Sequence, residues 1–239
     1  PQVSDLEAIV DKNTVAILYN FPSNPTGGTL DTTQRDELLA FAEKHNLWII
    51  SDEVYDRIVF DGPHVSFLGA GYDRVLVVNS FSKTFAMTGW RMGYIISTHL
   101  EAMQQVIKMQ YYIAACSNDA MQHAILATME HASDFPDMVA AEFKQRRDLI
   151  VGRLNAMPGV ECHKPQGAIY VFPKVTVPGM TSQDLAIELL KDGVLCSPGS
   201  AFGPSGEGHL RFAYTISQED IMRGMDKVES TLQRLLTPQ

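Results

Sequence analysis

Four polar residues stand at or just past the ends of apolar runs, and their types suit one kind of chemistry. Lys83 closes Val75-Leu-Val-Val-Asn-Ser-Phe-Ser-Lys83, and Arg91 follows in Thr84-Phe-Ala-Met-Thr-Gly-Trp-Arg91. Asp52 closes Leu47-Trp-Ile-Ile-Ser-Asp52, and Asn24 follows the run that begins at Val15. A lysine attacks an aldehyde only as the free amine, so Lys83 needs a lowered proton affinity. Cationic neighbours such as Arg91, together with partial burial, would supply it. Open parallel α/β sheets bind ligands at the carboxyl ends of their strands. An amine, a carboxylate, an amide and a guanidinium delivered to that edge predict a site for an anionic, carbonyl-bearing cofactor. The plainer alternatives are a solvated surface lysine at Lys83 and a cap or exposed carboxylate at Asp52.

The elements that must position these groups follow from the pattern. Val15–Asn20 is a continuous apolar strand, as expected where both sheet faces are covered. Asp31 caps a helix whose buried stripe is Leu38, Leu39, Phe41 and Ala42. Strands follow over Leu47–Ser51 and Val75–Asn79. A fourth, Met92–Ser97, is reached by a connection too short for a parallel crossover and is therefore antiparallel. Asp5 to Asn13 reads as the end of a helix. From His99 to about Glu130 the pattern is helical, with a break near Cys116-Ser-Asn118. Phe135-Pro136 separates this from a long helix ending near Met157. Short strands follow at Val160–Cys162, Ala168–Phe172, Val194–Cys196 and His209–Ala213, with helices that start at the caps Thr181 and Ser217.

The chain has 239 residues, enough for one large and one smaller domain. A formal charge of −9, with lysines and arginines dispersed, argues against nucleic-acid binding. No apolar stretch reaches membrane-spanning length, and the N-terminus lacks a signal-peptide layout. Cys116, Cys162 and Cys196 form no CxxC pair, which predicts reduced thiols in a cytoplasmic protein. The seven histidines include no HExxH arrangement, and no metal site is predicted.

The ordered set Asn24-Pro-Thr-Gly27, Ser51-Asp-Glu-Val-Tyr55, Ser80-Phe-Ser-Lys83, Gly89-Trp-Arg-Met-Gly93, Gly167-Ala-Ile-Tyr-Val-Phe172, Pro198-Gly-Ser-Ala-Phe-Gly203 and Leu210-Arg211 covers nearly the whole chain. It resembles the class I/II aminotransferases, pyridoxal 5'-phosphate (PLP) enzymes of fold type I. The resemblance implies an α/β fold: part of a mostly parallel large-domain sheet plus a small C-terminal α+β domain. The boundaries expected are 1–98 for the large-domain part, 99–132 for an interdomain helical segment and 133–239 for the small domain.

The resemblance also implies roles. Lys83 would hold PLP as a Schiff base, and Asp52 would keep the cofactor's pyridine nitrogen protonated. Tyr55 and Asn24 would hold its phenolic oxygen, although packing accounts for Tyr55 equally and an Asn-Pro turn for Asn24. Ser80 and Arg91 would bind the phosphate, and Ser82 either assists or faces the core. Arg211 would pair with the substrate α-carboxylate, with Asn24 also assigned to substrate binding, although strand alternation also allows Arg211 to face outward. The implied reaction moves an amino group between an L-amino acid and a 2-oxo acid, in a homodimer. A C–S β-lyase sharing the same residues is the enzymatic rival, and a truncated non-catalytic module is the other.

Two other families share single elements with this chain. Ser80-Phe-Ser-Lys83 matches the S-x-x-K of serine β-lactamases, but the companion S-D-N and K-T-G elements are missing. A regulator built on the same fold would carry an upstream winged-helix segment, which is not found, and an altered Asn-Pro-Thr-Gly. The chain opens at Pro1, without upstream strands that supply a stacking ring and a phosphate-binding turn in the family. It is therefore expected to be truncated and to bind PLP weakly alone. In the dicarboxylate-specific branch an arginine precedes a Ser-Asn pair; if Ser117-Asn118 is that pair, Ile113 holds the position, which disfavours strict aspartate specificity.

Overall fold

The computed structural model describes residues 2–237. Two compact units result: residues up to Pro22 with Thr29–Asp137, and Ser23–Gly28 with the residues from Met138 onward. Residues 99–132 fall in the first unit.

In the first unit, α1 (Val3–Glu7) precedes a four-stranded sheet in the order β1 (Ala16–Asn20), β2 (Trp48–Asp52), β3 (Val75–Ser80), β4 (Gly93–Ile96). The first three strands are parallel and β4 is antiparallel to β3, as the short connection requires. The close approach of β4 to β3 needs Gly93, because a Cβ there would lie 2.6 Å from the Asn79 carbonyl oxygen. Helix α2 (Thr32–Lys44) starts at Asp31, whose carboxylate accepts from Gln34 N at 2.8 Å while Gln34 accepts from Asp31 N at 3.0 Å. Such caps contribute about 1 kcal/mol. The stripe Leu38, Leu39, Phe41 and Ala42 is buried as predicted, against Tyr19, Ile49, Phe67, Val75 and Val77. After β3 the chain makes a single helical turn, α3 (Phe81–Thr84), before β4, and then α4 (Leu100–Ala114) and α5 (Asp119–His131). The predicted break between them is real: Ala115 has a φ of 55°, and Asn118 caps α5 by accepting from Met121 N at 3.2 Å.

Helix α6 (Phe135–Asn155) begins in the first unit and continues in the second. The second unit then pairs β5 (Val160–Glu161) with β7 (Lys174–Val175). It also forms an antiparallel sheet in the order β6 (Tyr170–Val171), β9 (Leu210–Ala213), β8 (Ser197–Pro198). Its remaining helices are α7 (Ser182–Lys191), capped by Thr181 in a capping box with Asp184, and α8 (Gln218–Leu236), capped by Ser217.

Four expectations need correction. The helix at the N-terminus ends at Glu7, and Asp11 instead ties a turn by accepting from Asn13 N at 2.9 Å. Leu18 is 72% exposed, so β1 is covered on one face only among the described residues. Phe135-Pro136 forms the first turn of α6, where a proline's missing N–H costs nothing. Val194–Cys196 is not a strand: Val194 N bonds to Leu189 O at the end of α7, Leu195 is exposed, and strand pairing begins only at Ser197.

Candidate active site

The sheet of the first unit explains how its candidate residues come together. Asn20, Asp52 and Val78 lie level in the parallel register, so β1, β2 and β3 end at one edge. Asp52 is the last residue of β2, and a turn follows in which Asp56 N bonds to Glu53 O and Ile58 N to Tyr55 O. This turn buries Tyr55. Beyond β3, Ser80 caps α3, and Lys83 rides on that single turn, half-buried. The Lys83 ammonium group stands 6.0 Å from the centre of the Tyr55 ring and forms no ion pair among the described residues.

Asp52 accepts a hydrogen bond from Val54 N at 3.2 Å. Burial pushes its carboxyl above the ordinary carboxylate range, and bonds from Val54 N and Asn20 pull the other way. A half-buried acid held up by desolvation gains from an adjacent cation. A half-buried amine without a carboxylate gains from an electrophilic carbonyl. The donor set therefore fits PLP, which carries a basic ring nitrogen and an aldehyde.

The hydroxyls of Ser80 and Ser82 hydrogen-bond each other at 2.9 Å, and Ser80 Oγ donates to Met92 O at 2.9 Å. Ser80 has one proton, so donating to a phosphate would require its hydroxyl to turn away from Met92. Ser82 is buried. Arg91 has left-handed backbone angles, and its exposed guanidinium donates to Thr88 O at 2.8 Å. A cavity of about 610 Å³ opens beside Ser80, Asp56 and Tyr94. None of Lys83, Asp52 and Tyr55 lines it, and we do not identify it with the site.

In the second unit, Arg211 sits on β9 opposite Ser197 of β8. Its guanidinium donates to Asn24 Oδ1 at 2.8 Å and Ser197 Oγ at 3.0 Å. It is flanked by the rings of Tyr170 and Phe202, with centroids 4.5 and 4.9 Å away. Stacking and hydrogen bonding fix a fork geometry suited to a carboxylate. Asn24 is held by the turn behind it, where Gly27 O accepts from Gln166 N and Gly167 N, both at 2.9 Å. Gly27 has a φ of 69°, and a Cβ there would collide with Pro165. The glycine of Asn24-Pro-Thr-Gly27 is thus a packing requirement.

Several residues around the candidates were not singled out from sequence. Tyr170 lies inside the Gly167–Phe172 block, and Ser197 is brought opposite Arg211 only by strand pairing. Glu53 and His64 meet in a hydrogen bond at 2.8 Å that no spacing announces.

The sequence matches the family model for aminotransferase class I and II over residues 1–228. It is 36% identical over 236 residues to an aromatic-amino-acid aminotransferase 2 of Thermococcus litoralis, an alignment covering 96% of this chain and 60% of that protein. It is 34% identical over 237 residues to an aspartate aminotransferase of Pyrococcus horikoshii, with 98% and 60% covered. The solved structure of an aromatic aminotransferase from Pyrococcus horikoshii superposes with a TM-score of 0.93 at 36% identity, over 99% of this chain and 65% of that one. The chain thus spans about 60% of the length of these curated relatives. With the motif order, the backbone and the sequence in agreement, this chain belongs to the class I and II aminotransferases.

Proposed function

We propose that the protein is a PLP-dependent aminotransferase that moves an amino group between an L-amino acid and a 2-oxo acid. The observation that carries this reading is the Lys83 amine. It is half-buried and free of carboxylates beside the Tyr55 ring, and β2 of the same sheet ends in Asp52. The family is PLP-dependent, and the aldehyde and ring nitrogen of PLP match these two groups.

When bound, the cofactor supplies an electron sink for bonds to the substrate α-carbon. The protein's residues do the rest. Lys83 Nζ would be the attachment point for the cofactor aldehyde and the base that moves a proton at the substrate α-carbon. The Asp52 carboxylate would hold a proton on the ring nitrogen, and Tyr55 would donate to the phenolic oxygen. Ser80 and Arg91 would hold the phosphate, with Ser82 supporting the Ser80 hydroxyl. In the second unit, Arg211, held by its bond to Asn24, would take the substrate α-carboxylate, with Asn24 in the same substrate-binding group. Assembly as a homodimer rests on the resemblance. A cytoplasmic location is supported by the unpaired thiols of Cys116, Cys162 and Cys196.

The test is amino transfer from a panel of amino acids to 2-oxo acids, with and without added PLP, by the chain expressed together with the upstream segment that its relatives carry. With Ser117-Asn118 taken as the Ser-Asn pair of the dicarboxylate-specific branch, Ile113 at the arginine position supports neutral and aromatic donors over strict aspartate specificity. Asp52→Asn is expected to retain the cofactor while transfer falls about 100- to 1,000-fold, the scale for losing one preorganised electrostatic partner. No PLP-dependent transfer from any donor would contradict the proposal.

A further inference from the structure

Glu53 follows Asp52 directly, and it is the only fully buried acidic residue among those described, 3% exposed. Its carboxylate accepts from Ser51 Oγ at 3.0 Å, Phe67 N at 3.1 Å and His64 Nε2 at 2.8 Å. The Ser66 side chain adds another bond. Burial alone would raise its proton affinity, but the bonds from His64, Ser66 and Phe67 N outweigh burial and hold the carboxyl below its usual range. A buried carboxylate persists only when paired in this way.

The ties reach in two directions. Glu53 N donates to Val78 O at 2.9 Å, extending the β2–β3 ladder by one residue beyond Asp52. Phe67 stacks on Tyr19 of β1, with ring centres 5.4 Å apart, so the loop that grips Glu53 is itself anchored to the sheet. Successive side chains on a strand point to opposite faces. Fixing the Glu53 side chain therefore fixes the peptide between Asp52 and Glu53 and the direction in which Asp52 leaves the strand. The same grip sets the start of the turn that buries Tyr55. None of these bonds uses a group assigned to the cofactor or substrate.

We propose that Glu53, clamped by His64, is a positioning residue that sets the carboxylate of Asp52 for the reaction without touching the cofactor. This rests on reading Asp52 as the partner of the ring nitrogen. Misplacing a reacting group by 1 Å can cost about 100-fold in rate.

The experiment compares Glu53→Gln, His64→Gln and Asp52→Asn with wild type, each expressed together with the upstream segment that its relatives carry and saturated with PLP for the band and kinetics. It reads the melting temperature without cofactor, the absorbance band of bound PLP, and kcat and KM. Measurements are made well below each variant's melting temperature. Glu53→Gln and His64→Gln are expected to lower kcat by about 10- to 100-fold with KM unchanged. Both should shift the bound-cofactor band in the direction that Asp52→Asn shifts it. If Glu53→Gln does not fold, His64→Gln, at the partly buried rim of the cluster, carries the comparison. A lower melting temperature with a wild-type band and kcat in these variants, while Asp52→Asn is impaired, overturns the positioning role alone. A normal band and kcat in Asp52→Asn overturns the reading of Asp52 and the positioning role with it.

Discussion

Arg211 Nη1 donates to Asn24 Oδ1 at 2.8 Å, joining residues 187 positions apart in the sequence. The turn that begins at Asn24 and the strand that carries Arg211 lie within one compact unit, although the rest of the β1 neighbourhood belongs to the other. The guanidinium is therefore oriented before any substrate arrives.

That orientation makes Arg211 a testable carboxylate anchor. Its side chain is only partly buried, so the loss on Arg211→Met should be that of a charge-assisted hydrogen bond, about 1.5–3 kcal/mol. KM should rise by a similar factor for every amino acid donor, and simple carboxylate inhibitors should weaken in parallel. Steady-state kinetics across several donors checks this. A defect confined to one class of side chain would instead assign Arg211 to side-chain recognition.

Gly27 should tolerate no side chain. The positive φ and the collision with Pro165 together predict that Gly27→Ala loses about 1–3 kcal/mol of stability. Thermal unfolding reads this directly, and an unchanged melting temperature would show that the turn relaxes freely.

The two neighbouring carboxyls should give opposite pH slopes. Burial raises Asp52 above its usual 3.8, so its contribution favours folding below that value and is lost as pH rises through the raised one. Glu53 is held below its usual 4.5, so its contribution is present above that value and lost as pH falls through the lowered one. In cofactor-free protein, Asp52→Asn should therefore gain stability relative to wild type as pH rises out of the acid range. Glu53→Gln should be least stable relative to wild type near neutrality, with the gap closing in acid. Urea unfolding at a series of pH values tests both signs, and parallel slopes would contradict the assignment.

Much of this architecture is legible in the amino-acid order because it is local. The Asp31 cap, the α2 stripe and the antiparallel β4 follow from periodicity and connection length. Lys83, Asp52 and Ser80 follow from polar residues placed at the ends of apolar runs. What escapes is nonlocal or decided by competition. Val194 looks like a strand residue, but its N–H is taken by the end of α7. Glu53 looks like any solvated acid until His64, Ser66 and Phe67 close around it. The rings of Tyr170 and Phe202 meet Arg211 only through the pairing of β6, β9 and β8.

The most direct measurement concerns Lys83. PLP-treated protein is reduced with borohydride, digested and analysed by mass spectrometry. The account predicts a single pyridoxyl-modified lysine, Lys83, and no modified peptide from a folded Lys83→Arg variant. A label on another lysine, with Lys83 unmodified, would contradict it.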